Sequence, residues 1–261
     1  MHVVILTKAV PNTTEVEHLD ERSRIDRVSV DPIINLNDEH ALEIALQLAE
    51  TLPGVETTML TMAPESSWPA LSKAIAAGIG RSVLISDDAL EGSCTLSTAN
   101  VLAAAARRLS FDLLLAGQDT SDGRGGVVAA AVATLLDLPF IALANDVTVA
   151  DGELRAKRLR DDGYEILAAP LPSVVTVTQA VGEMRYPSLR GVMAARSRRP
   201  EVWSLGDLGL ADGQVGGAVA TTRVVGADPA VLRPPTRVVT GDPATAVQEV
   251  MAFLTERRFI S

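Results

Sequence analysis

Residues 117–126 read GQDTSDGRGG, with four glycines, two aspartates and one arginine in ten positions. Four apolar residues, 113–116, run into this stretch, and a long Ala/Val/Leu run follows it. Glycines let backbone N–H groups approach an anion, and the start of a following helix adds a favourable dipole. Arg124 adds a positive charge. The loop matches neither GxxxxGK[ST] nor GxGxxG, and it lacks the lysine that neutralises a transferring phosphoryl group, so phosphoryl transfer is not supported. Anion binding and a plain turn between strand and helix both remain open. A second polar cluster, Asn37-Asp38-Glu39-His40, follows the first apolar segment. It could face a ligand at the carboxyl ends of parallel strands, though its plainer reading is a helix N-cap. No Ser–His–Asp set or paired carboxylate offers a nucleophile or general base. His2, His18 and His40 lack the short spacing of a helical zinc pair, and the lone Cys94 excludes an internal disulfide.

The elements that must position these residues alternate between two periods. Residues 3–6, 57–62, 83–85 and 113–116 read as strands. Between them, Leu42, Ala45, Leu46 and Ala49 recur at helical spacing, as do Trp68, Leu71, Ile75 and Ile79. Further helices are expected at 96–109 and 127–136. This is the signature of an α/β fold with a parallel, Rossmann-like sheet and helices on both faces. The pattern then changes. Residues 141–149 and 153–160 read as a hairpin over Asp151-Gly152, residues 161–163 as a second turn before 164–168, and 174–178 as a returning sheet strand. The Gly-rich stretch 206–217 reads as an exposed linker, 223–225 and 237–240 as extended, and 243–255 as a last helix. A body of 1–205 and an arm of 206–261 are therefore expected.

The totals fit this picture. Of 261 residues, 47% are hydrophobic, 21% charged and only 3% aromatic, so the core must be aliphatic. A net charge of −10 argues against nucleic-acid binding. The apolar opening is too short for a signal peptide, and Asp137 and Pro139 interrupt the most apolar later stretch. A soluble, cytoplasmic protein is expected.

Two later stretches are more distinctive: AKRLRDDGYEILAAPLPSVVT at 156–176 and EMRYPSLRGVMAARSRR at 183–199. The first is a charged turn feeding a buried strand. The second is an exposed loop opening a short basic helix, with Leu189 and Met193 four residues apart on one side. Such a pair is usually core, although its arginine neighbours suit docking against an acidic partner.

On these residues the chain resembles the beta subunit of electron transfer flavoprotein. The family signature fits Ala156, Arg158, Asp161, Asp162, Gly163, Glu165, Leu167, Pro172, Val174, Val175 and Thr176. The segment 185–193 is similar to the family's partner-recognition loop, and 117–128 to its adenine-nucleotide loop. The opening VVILTKAVPN and the segment INLNDEHALEIAL also match. The resemblance implies an adenine nucleotide alpha hydrolase-like fold and a heterodimer with an alpha subunit, which carries most of the FAD site. It further implies a structural AMP in the beta subunit, or a second FAD in the electron-bifurcating branch. Electrons would arrive from flavin-dependent dehydrogenases and leave towards a membrane quinone oxidoreductase, with no catalytic residue in this chain.

By the same resemblance, Leu6 and Met62 end strands at the AMP site, and Asn37, Asp38, Glu39 and His40 lie near ribose or base. Gly117, Gln118 and Asp122 belong to the nucleotide loop, and Gly123, Arg124, Gly125, Gly126, Val127 and Val128 meet the phosphate. Arg185, Tyr186 and Met193 flank the docking anchor Leu189, and the arm packs on the alpha subunit. Thr13 and Glu39 stand where relatives often place aromatics near the flavin, and the helix after the docking loop carries arginine in place of lysine. Two readings compete. One is a stand-alone nucleotide sensor of the universal-stress type, which would leave 156–199 without a use. The other is an ATP pyrophosphatase-type enzyme, whose SGGxDS-like loop TSDGRGG does not match.

Overall fold

The computed structural model describes residues 1–12, 19–27, 29–228, 236 and 238–260; Thr13, His18 and Arg237 lie outside them. Strand β1 (His2–Leu6) is followed by a small antiparallel pair, β2 (Ala9–Pro11) and β3 (Pro32–Ile34), and by helix α1 (Leu36–Thr51). Then come β4 (Glu56–Met62), α2 (Trp68–Ala77), β5 (Arg81–Ile85), α3 (Thr95–Leu109), β6 (Leu113–Gly117) and α4 (Val128–Leu136). The chain continues through β7 (Phe140–Ala144), β8 (Asp146–Ala150), β9 (Glu153–Arg160), β10 (Gly163–Pro170) and β11 (Ser173–Val177). Helix α5 (Leu189–Ser197), strand β12 (Glu201–Trp203) and helix α6 (Pro243–Glu256) complete it.

Seven strands form one parallel sheet in the order β12-β5-β4-β1-β6-β11-β7. Alternate side chains of each strand serve opposite faces. Val3 and Ile5 pack with Leu42 and Ala45 of α1 and Leu71 of α2. Val4 and Leu6 pack with Val101 and Leu102 of α3 and Val132 of α4. The expected α/β architecture is present.

Two expectations need correction. The stretch 141–149 is not one hairpin arm. Leu143 takes a left-handed φ of 60°, and the chain divides at Asn145. Strand β7 joins the main sheet beside β11, while β8 pairs with β9 in a separate three-stranded sheet. Asn145 fastens the division, donating to Thr178 Oγ1 at 2.7 Å and accepting the Leu159 N–H at 2.7 Å. Nor is 206–217 an exposed linker. It folds into short 3-10 turns that bury Leu205 and Val215, and Gly216 sits so tightly against the Ala89 carbonyl that no Cβ fits. Residues Met1–Val225 consequently form one compact unit. The second unit, Gly226–Ser261, contains α6, whose N-cap Asp242 accepts the Ala244 N–H at 3.0 Å and the Thr245 N–H at 3.1 Å.

The sheet order places a switch point at β1 and β6: the chain builds β4 and β5 on one side of β1, then returns to build β6 on the other. At such a point the loops leaving the carboxyl ends diverge and open a crevice. Helix α1 starts inside it. The cap position is Asn35, two residues before the nearer of the expected caps, Asn37 and Asp38. Asp38 is buried in the first turn, where its carboxylate suits the helix dipole. It accepts the Lys8 N–H at 2.9 Å, just beyond β1, and the Gly117 N–H at 3.3 Å, at the end of β6. The two diverging strands are thus joined through one side chain. Burial pushes Asp38 up to about 7, against the opposing hydrogen bonds from Asn35, Lys8 and Gly117. Gly117 permits the junction, since a Cβ there would lie 2.5 Å from the Asn37 carbonyl carbon and 2.7 Å from Asp38 Oδ1.

Two outcomes follow from this junction. Gly117→Ala is expected to lower stability by about 2 kcal/mol through overpacking, read as a lower Tm in a thermal melt. A melt within a degree of wild type would remove the close-approach argument. Asp38 is protonated more readily folded than unfolded, so the stability it contributes is fully present below its ordinary value of 3.8 and is lost as pH rises towards about 7. In urea titrations between about pH 4 and 7, wild type should weaken with rising pH relative to Asp38→Asn. Parallel curves would contradict the buried carboxyl.

Candidate functional site

The crevice is a cavity of about 750 Å³ at the carboxyl ends of β1, β4 and β6. Leu6, Met62 and Ala116 end the strands on one side, and the glycine loop forms the rim. That loop is held from beneath by α1. Asn35, fully buried, donates to the Asp119 carbonyl at 2.8 Å and accepts the Ser121 N–H at 3.1 Å. Asn37 donates to the same carbonyl at 3.3 Å and to the Asp119 carboxylate. Gly126 takes a φ of 60°, and Arg124 braces the loop by donating from Nε to the Ser121 carbonyl at 3.1 Å. The loop delivers the chain to α4, which starts with no side-chain cap. Its first-turn N–H groups are therefore available to an anion in the cavity.

A lysine is present after all, supplied from another strand. Lys8, two residues past β1, places Nζ 2.9 Å from Asp122, and Arg27 pairs with the same carboxylate. The Asp122 side chain is only 1% exposed. Burial alone would raise its titration; the Lys8 charge, the Thr120 hydroxyl and Arg27 outweigh burial and hold it well below the usual carboxylate range. One carboxylate thus holds both cations in place, and one net positive charge is left at the cavity rim. At the far end Cys94 opens α3. Burial alone would raise its thiol, but hydrogen bonds from Ser97 and Thr221 lower it to about 5.

The sequence-derived residues divide into three groups. Leu6, Asp38, Met62, Gly117, Gln118, Gly123, Gly125, Gly126, Val127 and Val128 line the cavity. Asn37, Asp122 and Arg124 do not; they brace its loop. Glu39 and His40 are turned elsewhere, because successive helix residues rotate about 100° and Asp38 already faces the crevice. They line a second cavity, of about 960 Å³, together with Arg185 and Tyr186. Burial raises Glu39 there, opposed by Lys73 and His40. Asn35, Lys8 and Arg27 escaped sequence reading. The position just past β1 and the asparagine in INLNDEH were the available signals for the first two, whereas Arg27 lies in a polar stretch without periodicity.

The stretch 183–199 is largely exposed. Tyr186 is 96% exposed, Leu189 80% and Met193 57%, so the Leu189/Met193 pair is surface, not core. Ser188 caps α5 by accepting the Gly191 N–H at 3.0 Å. Arg185 points inward, to Glu43 and Glu50 of α1. In the signature region Arg158 pairs with Glu165 across β9 and β10. Among the described residues no helix is long and apolar enough to cross a membrane, and no cluster of His, Cys, Asp and Glu could hold a metal ion.

Comparison with known proteins agrees with this architecture. A family model described as "Electron transfer flavoprotein domain" matches residues 23–208. The chain is 32% identical over 265 residues to the electron transfer flavoprotein subunit beta of Mycobacterium tuberculosis (strain ATCC 25618 / H37Rv), covering 99% of each. It is 29% identical over 261 residues to the subunit of that name from Thermoanaerobacterium thermosaccharolyticum, covering 100% of each. It is 31% identical over 225 residues to the caffeyl-CoA reductase-Etf complex subunit CarD of Acetobacterium woodii, covering 86% of each. Full-length likeness of this kind, on a parallel sheet whose crevice is rimmed by the glycine loop, places the chain in the electron transfer flavoprotein family, as a beta subunit.

Proposed function

We propose that this beta subunit works in the cytoplasm as an electron-carrier partner of an alpha subunit, grips AMP in the crevice without reacting with it, and docks flavin-dependent dehydrogenases through Leu189. The observation that carries the AMP reading is the combination of an uncapped α4 start with a Lys8/Arg27 pair that Asp122 holds at the rim with one net positive charge to spare. Backbone N–H donors suit a single phosphate, and Lys8 and Arg27 are held on Asp122 rather than directed at a transferring group. Leu6, Met62 and Ala116 offer apolar surface for the base, and Asp38 and Gly117 set the crevice width.

FAD, held mainly by the alpha subunit, supplies the redox chemistry. This chain orients and docks, and none of its side chains need form a bond or carry a proton in that role. The arm is assigned to the alpha subunit because α6 presents Val247, Val250 and Met251 to solvent at helical spacing. The electrons would go on to a membrane quinone oxidoreductase. A second FAD in the crevice is the competing ligand, consistent with the likeness to the Acetobacterium woodii complex subunit.

Small molecules extracted from the purified heterodimer should comprise one FAD and one AMP per complex, whereas two FADs would establish the competing ligand. Asn35→Ala, which unfastens the loop, is expected to weaken AMP retention by about tenfold or more while flavin content holds; undiminished AMP would count against the crevice. Leu189→Ala should lower the kcat/KM for reduction by a dehydrogenase by roughly thirtyfold, the effect of removing a buried anchor worth about 2 kcal/mol. Unaltered reduction would refute the anchoring role.

A further inference from the structure

The segment between the 3-10 turn at residues 179–181 and α5 carries the exposed Tyr186 and ends at Leu189, yet it is tied to one face of α1 at Gly182 and Arg185. That face is polar: His40, Glu43, Gln47 and Glu50 follow at spacings of three, four and three, which places them on one side of a helix. His40 donates from Nδ1 to the Gly182 carbonyl at 2.5 Å. Glu43 accepts the Arg185 backbone N–H at 3.0 Å, its Nε at 3.0 Å and its Nη2 at 2.7 Å. Gln47 supports Glu43 from 3.1 Å, and Glu50 accepts the other side of the guanidinium. Burial alone would raise the Glu43 carboxyl, but the Arg185 hydrogen bonds outweigh it and lower it. Beyond the loop, Gly191 lies against the Ala76 carbonyl of α2 so closely that a Cβ has no room.

We infer that Arg185 and Glu43 act as positioning residues that pre-set the docking loop on α1, so that Leu189 is presented on a rigid base; Arg185 is not itself a contact to the partner. A mobile loop loses conformational entropy when a partner captures it, which subtracts from affinity. A planar guanidinium held in a fork by one nearly buried carboxylate and one exposed one removes that freedom beforehand. Glu43 is decisive, since its side chain is 8% exposed and no docking protein can reach it. The inference rests on the reading that 186–193 docks the dehydrogenase.

The test uses the intact heterodimer with Arg185→Gln, Glu43→Gln and Leu189→Ala. Hydrogen exchange without any partner should be about tenfold or more faster for the amides of 182–189 in the first two variants, unchanged there in Leu189→Ala, and unchanged in β1 and β6 for all three. With a flavin-dependent dehydrogenase that reduces the wild-type complex, both clamp variants should raise KM for the heterodimer several-fold with kcat at saturation preserved. Wild-type exchange in both clamp variants overturns the inference. So does a KM raised by Arg185→Gln but not by Glu43→Gln, because Arg185 would then touch the partner directly. If KM is unchanged in Leu189→Ala as well, the docking reading falls and takes this inference with it.

Discussion

The structure depends on one close approach. Helix α1 begins between the ends of β1 and β6, near enough to the backbone of Gly117 that no side chain could stand there, and Asp38 joins the two strands through their N–H groups. Diverging loops at a switch point would otherwise leave a cleft with unpartnered backbone donors. A buried carboxylate answers both donors at the cost of desolvation, visible in its raised titration. From that junction Asn35 and Asn37 reach outward to shape the loop, so the crevice geometry is inherited from the first turn of one helix.

Electrostatics bear on the proposal that the crevice holds a nucleotide and leaves it intact. Enzymes that move phosphoryl groups bring uncompensated cations to the phosphate. Here Lys8 and Arg27 converge on Asp122, a carboxylate almost wholly removed from solvent, which fixes both cations in place and leaves one net positive charge. Beside them stand peptide N–H groups and an uncapped helix start, donors suited to an anion. The net charge of −10 adds nothing attractive at long range, so the local donors must do the binding.

Local periodicity made the layers legible: Leu42, Ala45 and Leu46 are core because helical spacing puts them there, and Val3 to Leu6 alternate between faces as a central strand must. Backbone features were harder to read. Leu143 adopts a left-handed conformation that its residue type does not advertise, which is why one expected strand is two. The segment 206–217 has a linker's composition, yet its glycines let the chain press against the body and bury Leu205 and Val215. At the site, residue type located the loop, whereas rotation around α1 decided which neighbours of Asp38 face it, and that depended on a cap two residues earlier than expected. Lys8 and Asp122 are 114 residues apart, and only the strand order brings them together.

The same helix then serves two surfaces. The N-terminal turn of α1 shapes the crevice through Asn35, Asn37 and Asp38, its apolar stripe is core, and its polar stripe from His40 to Glu50 holds the segment leading to Leu189. A side chain in the first turns of α1 can reach the segment 182–185 or the glycine loop, not both, since the faces differ by the rotation between Asp38 and His40. Glu39 and His40 accordingly line the second cavity beside Arg185 and Tyr186, and Asp38 lines the crevice. The segment before Leu189 is thus held by α1 at Gly182 and Arg185, while Gly191 sets α5 itself against α2.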